Sequence, residues 1–263
     1  MLSNASRDNL ARLQNAWRSI DPEATGNEDS YGVPDETDLW DVDAYGNSLA
    51  SYEDVEQGSL GDCWVIAKIA ALQNDTVSDG AISFAEQNIR RNDNGTVSVT
   101  MYDDGIAHTV TVTEDLPLDA DGDPVYAHGA DGQTWPAYYE KAFALASEHH
   151  ADGNDGYAGL DGGSVTEDVQ LMTGQEGDGI DDDYDSVRER FDEGHAVVMS
   201  SNDNDDDIPD DQAGNYVTNH QFYVLEMTDD QVVLGNPHGT DTTPLTLSRE
   251  EFEQNFDGAG TIR

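Results

Sequence analysis

One thiol stands in this 263-residue chain, Cys63, in the segment Gln57-Gly58-Ser59-Leu60-Gly61-Asp62-Cys63-Trp64, where a glycine-containing loop gives way to the apolar run 65–72. The run is apolar nearly all round, which predicts a buried helix with Cys63 in its first turn. A helix start carries partial positive charge and unpaired N–H groups, and both favour thiolate over thiol. Beside a protonated histidine such a thiol falls from about 8.5 to roughly 3.5–7.5, giving a nucleophile that is ionised at neutral pH. A lone cysteine is more often a small buried hydrophobe, so the assignment depends on its neighbours.

A nucleophilic thiol needs a base, and seven histidines compete for the role. His220 opens the apolar run 221–227; a turn at Thr228-Asp229-Asp230 follows, and residues 231–236 run back, the pattern of a β-hairpin. Folding about residue 229 brings Asn236 within about a residue pair of His220. There the asparagine can accept a hydrogen bond from one ring nitrogen and leave the other for the thiol, the arrangement of a Cys-His-Asn triad. A strand histidine held by hydrogen bonds without chemistry is the plainer reading of His220 taken alone. His195 is a weaker base: an acidic loop and the first hairpin strand separate it from Asn236, and it reads as the cap of a helix over 186–193 leading into a strand over 196–200. His108, His149 and His150 have an ordinary surface reading. Gln57 stands six residues before Cys63, with Gly58 and Gly61 letting the loop fold back. Its side-chain amide, with the Cys63 backbone N–H, can form an oxyanion hole; otherwise it is a surface loop glutamine.

These residues lie in segments that resemble the calpain family of papain-like cysteine endopeptidases. The nucleophile segment reproduces every fixed position of the family's Q-G-x-L-G-D-C-W motif. Further matches follow in the family's order: Glu114-Asp115-Leu116-Pro117 is similar to D-x-L-P, and Trp135-Pro136-Ala137-Tyr138-Tyr139-Glu140-Lys141-Ala142-Phe143 to W-x-x-L-x-E-K-A-Y. The stretch 156–163 resembles G-Y-x-x-L-x-G-G, and Met172-Thr173-Gly174 a later T-G segment. Residues 219–224 stand for the family's G-H-A-Y-S-V, and Gly235-Asn236-Pro237-His238-Gly239 for R-N-P-W-G. The resemblance, over roughly residues 50–263, implies that Cys63, His220, Asn236 and Gln57 are the catalytic set.

Two departures stand out. His238 replaces the tryptophan that in the family shields the histidine–asparagine bond, which predicts a weaker, wetter triad. Many calpains also bind calcium in the protease core. Asp54 occupies the acidic position before the motif, but the partner acid two residues before the tryptophan is Gln133, and the acidic position six beyond the asparagine is Thr242. Calcium control is therefore not carried over. Asp119-Ala120-Asp121-Gly122-Asp123 has the opening rhythm of a calcium loop, but Ala130 stands where the closing bidentate Glu belongs, so Asp54, Asp119, Asp121 and Asp123 are only weak metal candidates.

The chain has 56 acidic residues against 11 basic ones, a formal charge of -45, and just two lysines, Lys68 and Lys141. Such a surface repels itself in dilute buffer and stays hydrated in molar salt, where the Debye length is about 3 Å. The pattern resembles proteins of halophiles that accumulate salt in the cytoplasm. It argues against nucleic acid and anionic membranes as partners. The hydrophobic fraction of 36% suffices for a core. The first residues lack the basic start and apolar stretch of a secretion signal, and no run of about 18 apolar residues occurs, so a cytoplasmic, membrane-free chain is expected.

The organisation expected is α+β, a papain-like two-lobed fold. Residues 1–48 comprise an amphipathic helix over 6–20, with Leu10, Leu13, Trp17 and Ile20 on one face, and an acidic linker. A helix-rich lobe over 49–174 carries Gln57 and Cys63, with strands at 96–102 and 106–113. A β-rich lobe over 175–263 carries His220 and Asn236, with an acidic insertion over 202–214 and a helix over 248–256. The function expected is a monomeric calpain-like endopeptidase that cleaves protein or peptide substrates in the groove between lobes. A catalytically inactive interaction module on the same fold is the alternative, and an acyl transferase a third.

Overall fold

The computed structural model describes residues 21–26, 28–35, 38–78, 82–149, 153–204, 208–209, 211–239 and 243–262. The amphipathic segment 6–20 and Thr242 lie outside the described residues.

The fold is α+β, as expected. In the N-terminal part, helix α1 (Cys63–Ser78) runs through the core, with Trp64, Val65, Ile66, Ala67, Ile69 and Ala70 fully buried. Its apolar character all round thus reflects packing on every side. Around it lie α2 (Phe84–Asn88), started by a Ser83/Glu86 capping box, and α3 (Trp135–Ala146), which opens with Pro136 in its first turn. Strands β3 (Ile89–Asn92), β4 (Thr96–Asp103) and β5 (Ile106–Thr113) form an antiparallel sheet at one side.

Upstream, β1 (Ser30–Gly32) pairs with β6 (Leu116–Leu118), and β2 (Val55–Glu56) with β7 (His128–Gly129). Within the stretch expected as a linker, Asp21 accepts from Thr113 N and Thr113 Oγ1 and pairs with Lys141 Nζ at 2.7 Å.

The C-terminal part is one six-stranded antiparallel sheet. Its strands are β8 (Asp178–Ile180), β9 (Ala196–Ser201), β10 (Gln221–Met227), β11 (Gln231–Gly235), β12 (Leu245–Ser248) and β13 (Phe256–Ile262), in the spatial order β12-β11-β10-β9-β13-β8. Two short helices complete it: α5 (Tyr184–Asp192), capped by Asp183, and α6 (Arg249–Asn255), capped by Ser248; the single-turn α4 is Val169–Thr173. One apolar cluster fills this part around Phe222, Leu234, Leu247 and Phe252. The other fills the N-terminal part and also takes in Ala196, Val198, Tyr223 and Ile262. Helix α1 packs directly on β9 and β10, so the thiol and the histidine strand share one contact layer.

Candidate active site

The loop before α1 is shaped from both sides. Ser59 N donates to Val125 O (2.9 Å), Gly162 N to Gly61 O (2.9 Å), and Trp64 Nε1 to Leu160 O (2.8 Å). A Cβ on Gly163 would lie 2.5 Å from the Trp64 indole, so only glycine lets that wall approach α1. Lys68, one turn and a half along α1 and completely buried, donates to Ser164 O (2.9 Å) and Glu167 O (2.7 Å), with its Nζ 4.6 Å from the Trp64 ring centroid. Burial lowers its pKa to about 7, against the opposing pull of Asp168 and Glu167.

Across the groove, Asn219 adopts φ +51°, a left-handed conformation that asparagine tolerates, and turns the chain into β10. His220 N donates to Ser201 Oγ (3.0 Å), and Ser201 N to His220 O (2.9 Å). The hairpin register sets Tyr223 against Gly235 and Val224 against Leu234, with a bulge between Val224 and Glu226. His220 Nε2 donates to Asn236 Oδ1 at 2.9 Å, the tautomer in which Nδ1 carries no proton. Asn236 Nδ2 is held by Asn215 O (3.4 Å), at the end of the acidic insertion. Gln57 N donates to Pro237 O (2.7 Å), tying the nucleophile loop to the asparagine loop.

Gln57, Cys63 and His220 line one groove of about 720 Å³, together with Gly61, Gly163, Gln221 and His238. Gln57 Nε2 donates to Leu60 O at 2.6 Å, which leaves one amide hydrogen for an oxyanion. A larger hollow of about 860 Å³, between Tyr102, Ile106, Leu145 and Leu171, contains none of these groups. His195 is absent from the groove and follows α5, its N–H donating to Arg190 O at 3.1 Å.

The electrostatics differ from the sequence expectation. Burial raises the Cys63 thiol, Asp62 adds to that, and N–H groups of Gln221 and Trp64 with the Lys68 charge oppose it. Burial lowers His220 to about 4, opposed by Asn236 and reinforced by His238. Burial thus acts against the expected thiolate–imidazolium pair at both groups. A helix start does favour the anion, but the desolvation of a thiol packed against β10 outweighs it.

The expected wetter triad is also corrected. The His238 ring lies tilted against His220 with centroids 4.4 Å apart, Phe222 meets it edge-on at 5.2 Å, and His220 and Asn236 are 6% and 5% exposed. His149 is no surface residue either: its ring lies 5.0 Å from Trp64 and pairs with Glu167 at 2.7 Å.

A model of the "Calpain family cysteine protease" matches residues 37–241, which include Cys63, His220 and Asn236. The chain belongs to the calpain family of cysteine proteases. It is 35% identical over 127 residues to the calpain-1 catalytic subunit of Homo sapiens, covering 48% of this chain and 16% of that protein. The bovine (Bos taurus) calpain-2 catalytic subunit is 31% identical over 139 residues, 52% of this chain and 19% of that one, and the mouse (Mus musculus) calpain-2 catalytic subunit 32% over 126 residues, 48% and 17%. The match thus spans less than a fifth of these calpains' length.

The calpain calcium position at Asp54 is filled by protein donors. Its Oδ1 accepts from Gln133 Nε2 (2.9 Å), and its Oδ2 from Ser51 N (2.7 Å) and Trp135 Nε1 (3.3 Å). A buried carboxylate already bonded by three N–H groups does not fit a cation. Asp119 folds onto its own loop, its Oδ1 accepting from Asp121 N (2.9 Å) and Asp123 N (3.0 Å). Among the described residues no three His, Cys, Asp or Glu side chains converge on a metal position. No helix among the described residues is long and apolar enough to cross a membrane.

Sequence reasoning missed the burial of Asp62 and Glu140, both interior, with Glu140 accepting from Ala127 N; burial raises both carboxyls above the ordinary carboxylate range. Each sits in a matched motif, which was the available signal.

Proposed function

We propose that this chain is a cysteine endopeptidase with a Cys63-His220-Asn236 triad and Gln57 as oxyanion donor. The observation that supports it most is the 2.9 Å His220 Nε2–Asn236 Oδ1 bond, which frees Nδ1 in the groove that Cys63 also lines. In this reading the resting pair is neutral, so proton transfer from Sγ to Nδ1 accompanies attack on the scissile carbonyl. The Cys63 N–H and Gln57 amide bind the developing oxyanion. His220 then gives the proton to the leaving amine, and water hydrolyses the thioester by the reverse path. The strand edges and glycine backbone of the groove suit an extended peptide held by main-chain hydrogen bonds. Two lobes, residues 49–174 and 175–263, would each bring half of the triad, and the acidic surface would suit a salt-rich cytoplasm.

The neutral resting pair also favours a second reading, an inactive interaction module. One experiment separates them: cleavage of an unfolded protein in molar KCl, with and without calcium, by wild type, Cys63→Ala, His220→Ala and His195→Ala, alongside labelling by a thiol-directed epoxide. Activity and Cys63 labelling lost in the first two variants and kept in His195→Ala are expected. A folded wild type that neither cleaves nor labels would establish the interaction module instead.

A further inference from the structure

Hydrogen bonds cross the groove at both ends of the candidate triad. At the Asn236 end the bond runs from main chain to main chain, Gln57 N donating to Pro237 O at 2.7 Å. At the His220 end a side chain makes it: Gln221 Nε2 donates to Gly163 O at 3.1 Å. Gln221 opens β10, is 3% exposed, and lines the groove together with Gly163.

The residues joined in this way adjoin the two candidate reacting groups. Gln221 directly follows His220. Gly163 presses on the indole of Trp64, which directly follows Cys63 and donates from Nε1 to Leu160 O in the same wall. A single bond from a side-chain amide to a backbone carbonyl therefore fixes the wall behind the thiol relative to the strand beside the imidazole.

Residues 219–224 stand against G-H-A-Y-S-V, so the motif has an alanine where this chain has Gln221. A methyl group donates nothing, and only a longer side chain with an N–H or O–H can reach Gly163 O in this way. The amide is used at one end alone, since Gln221 Oε1 is buried and meets no donor. Leaving a buried acceptor unmet is costly, so packing by itself is a poor reason for an amide here. The contact of α1 with β9 and β10 also includes apolar surface, with Val198 and Tyr223 in one cluster with Trp64 and Val65. Apolar contact is non-directional and leaves small shifts of register nearly free, whereas a hydrogen bond opposes them.

We propose that Gln221 is a positioning residue whose side-chain amide clasps the wall behind Cys63 and so sets the distance and angle at which His220 meets the thiol. The effect on turnover rests on the function proposed above; the clasp itself does not.

Two variants open the clasp. Gln221→Met keeps length and bulk but removes the donor, and Gln221→Ala installs the residue of the motif. Hydrogen exchange read by mass spectrometry in molar KCl reports on the clasp without catalysis. The segment 160–164, where Gly162 N donates to Gly61 O, should exchange about fivefold faster in both variants, the factor that one ordinary hydrogen bond supplies. Unchanged exchange overturns the clasp.

Turnover reports on the positioning. A misplacement of about 1 Å can cost about 10² in rate, and a loosened rather than displaced histidine should cost less: kcat down about tenfold in both variants, with KM within about twofold. Gln221→Glu should lose more at about pH 8, where a carboxylate faces Gly163 O, and should recover as the pH falls toward about 5, where the carboxyl, raised by burial, is protonated and donates again. A purely structural role gives no such recovery in acid. An unchanged kcat in Gln221→Met and Gln221→Ala, or a loss in Gln221→Glu that acid does not relieve, overturns the positioning role. If no form of the protein turns over, the endopeptidase reading falls together with the positioning role, and the exchange result decides the clasp alone.

Discussion

The two parts of the chain that meet at the candidate site keep their charges in opposite places. The half that carries the thiol buries Asp54, Asp62, Lys68, Glu140 and Lys141, whereas among the described residues after 174 the buried polar side chains are all uncharged. There the ion pairs lie at the surface, with Arg188 on Asp192 and Asp229, Arg190 on Glu193, and Arg249 on Asp185 and Glu253. Both lysines of this strongly acidic chain are interior, and both donate to backbone carbonyls. Interior cations of this kind are shielded from salt, while surface pairs are screened within a few ångströms in molar KCl. The contrast teaches that the thiol half is braced by buried polar bonds, and the histidine half by its sheet and apolar core.

The largest effect should fall where the halves meet. Asn236→Ala removes the acceptor that fixes the His220 tautomer, so kcat should fall at least about 10²-fold with little change in unfolding. Steady-state kinetics and a denaturant titration on one preparation test both clauses. A variant with normal kcat would detach Asn236 from the chemistry.

Next comes the buried brace. Lys68→Met leaves Ser164 O and Glu167 O without their donor and should cost about 2 kcal/mol in denaturant unfolding. Arg249→Ala, at the exposed pair on Asp185, should leave the midpoint in molar KCl almost unmoved. Equal losses in the two variants would abolish the contrast between interior and surface charge.

The pH profile follows from His220. Its folded-state pKa is lowered to about 4 by burial, so the imidazole is neutral and able to accept the thiol proton above that value, and protonated and unable below it. The acid limb of kcat/KM should therefore lie near pH 4, and His238→Ala, which strips a ring from His220, should move it upward. Alkylation of Cys63 should rise only above the ordinary thiol value of about 8.5. A plateau of alkylation at neutral pH would restore the ion pair.

The smallest shift should come from calcium. With Asp54 bonded by Ser51, Gln133 and Trp135, thermal unfolding should respond to KCl more than to calcium at every salt concentration. A larger calcium shift would place a cation where the hydrogen bonds now are.

Much of the site was legible in residue order. The loop-to-helix step at Cys63 rests on local composition, and the hairpin from Gln221 to Gly235 on alternation and a turn, so each is dictated by neighbours in sequence. The helix and strand limits at 184–192 and 196–201 differ by a residue or two from those expected, since caps such as Asp183 set them. The inward position of His149 was not legible: it depends on Glu167 and on Trp64, far off along the chain.

The sequence by itself determined the family and the candidate thiol, histidine and asparagine, because each lies in a short segment whose pattern specifies one local geometry. Only the tertiary structure decided their charge states and the fate of the polar residues around them. Desolvation depends on what packs from distant elements: β10 on the thiol, His238 and Phe222 on the imidazole. A residue's burial is a property of the whole fold, and with it go the pKa directions and the closed Asp54 knot.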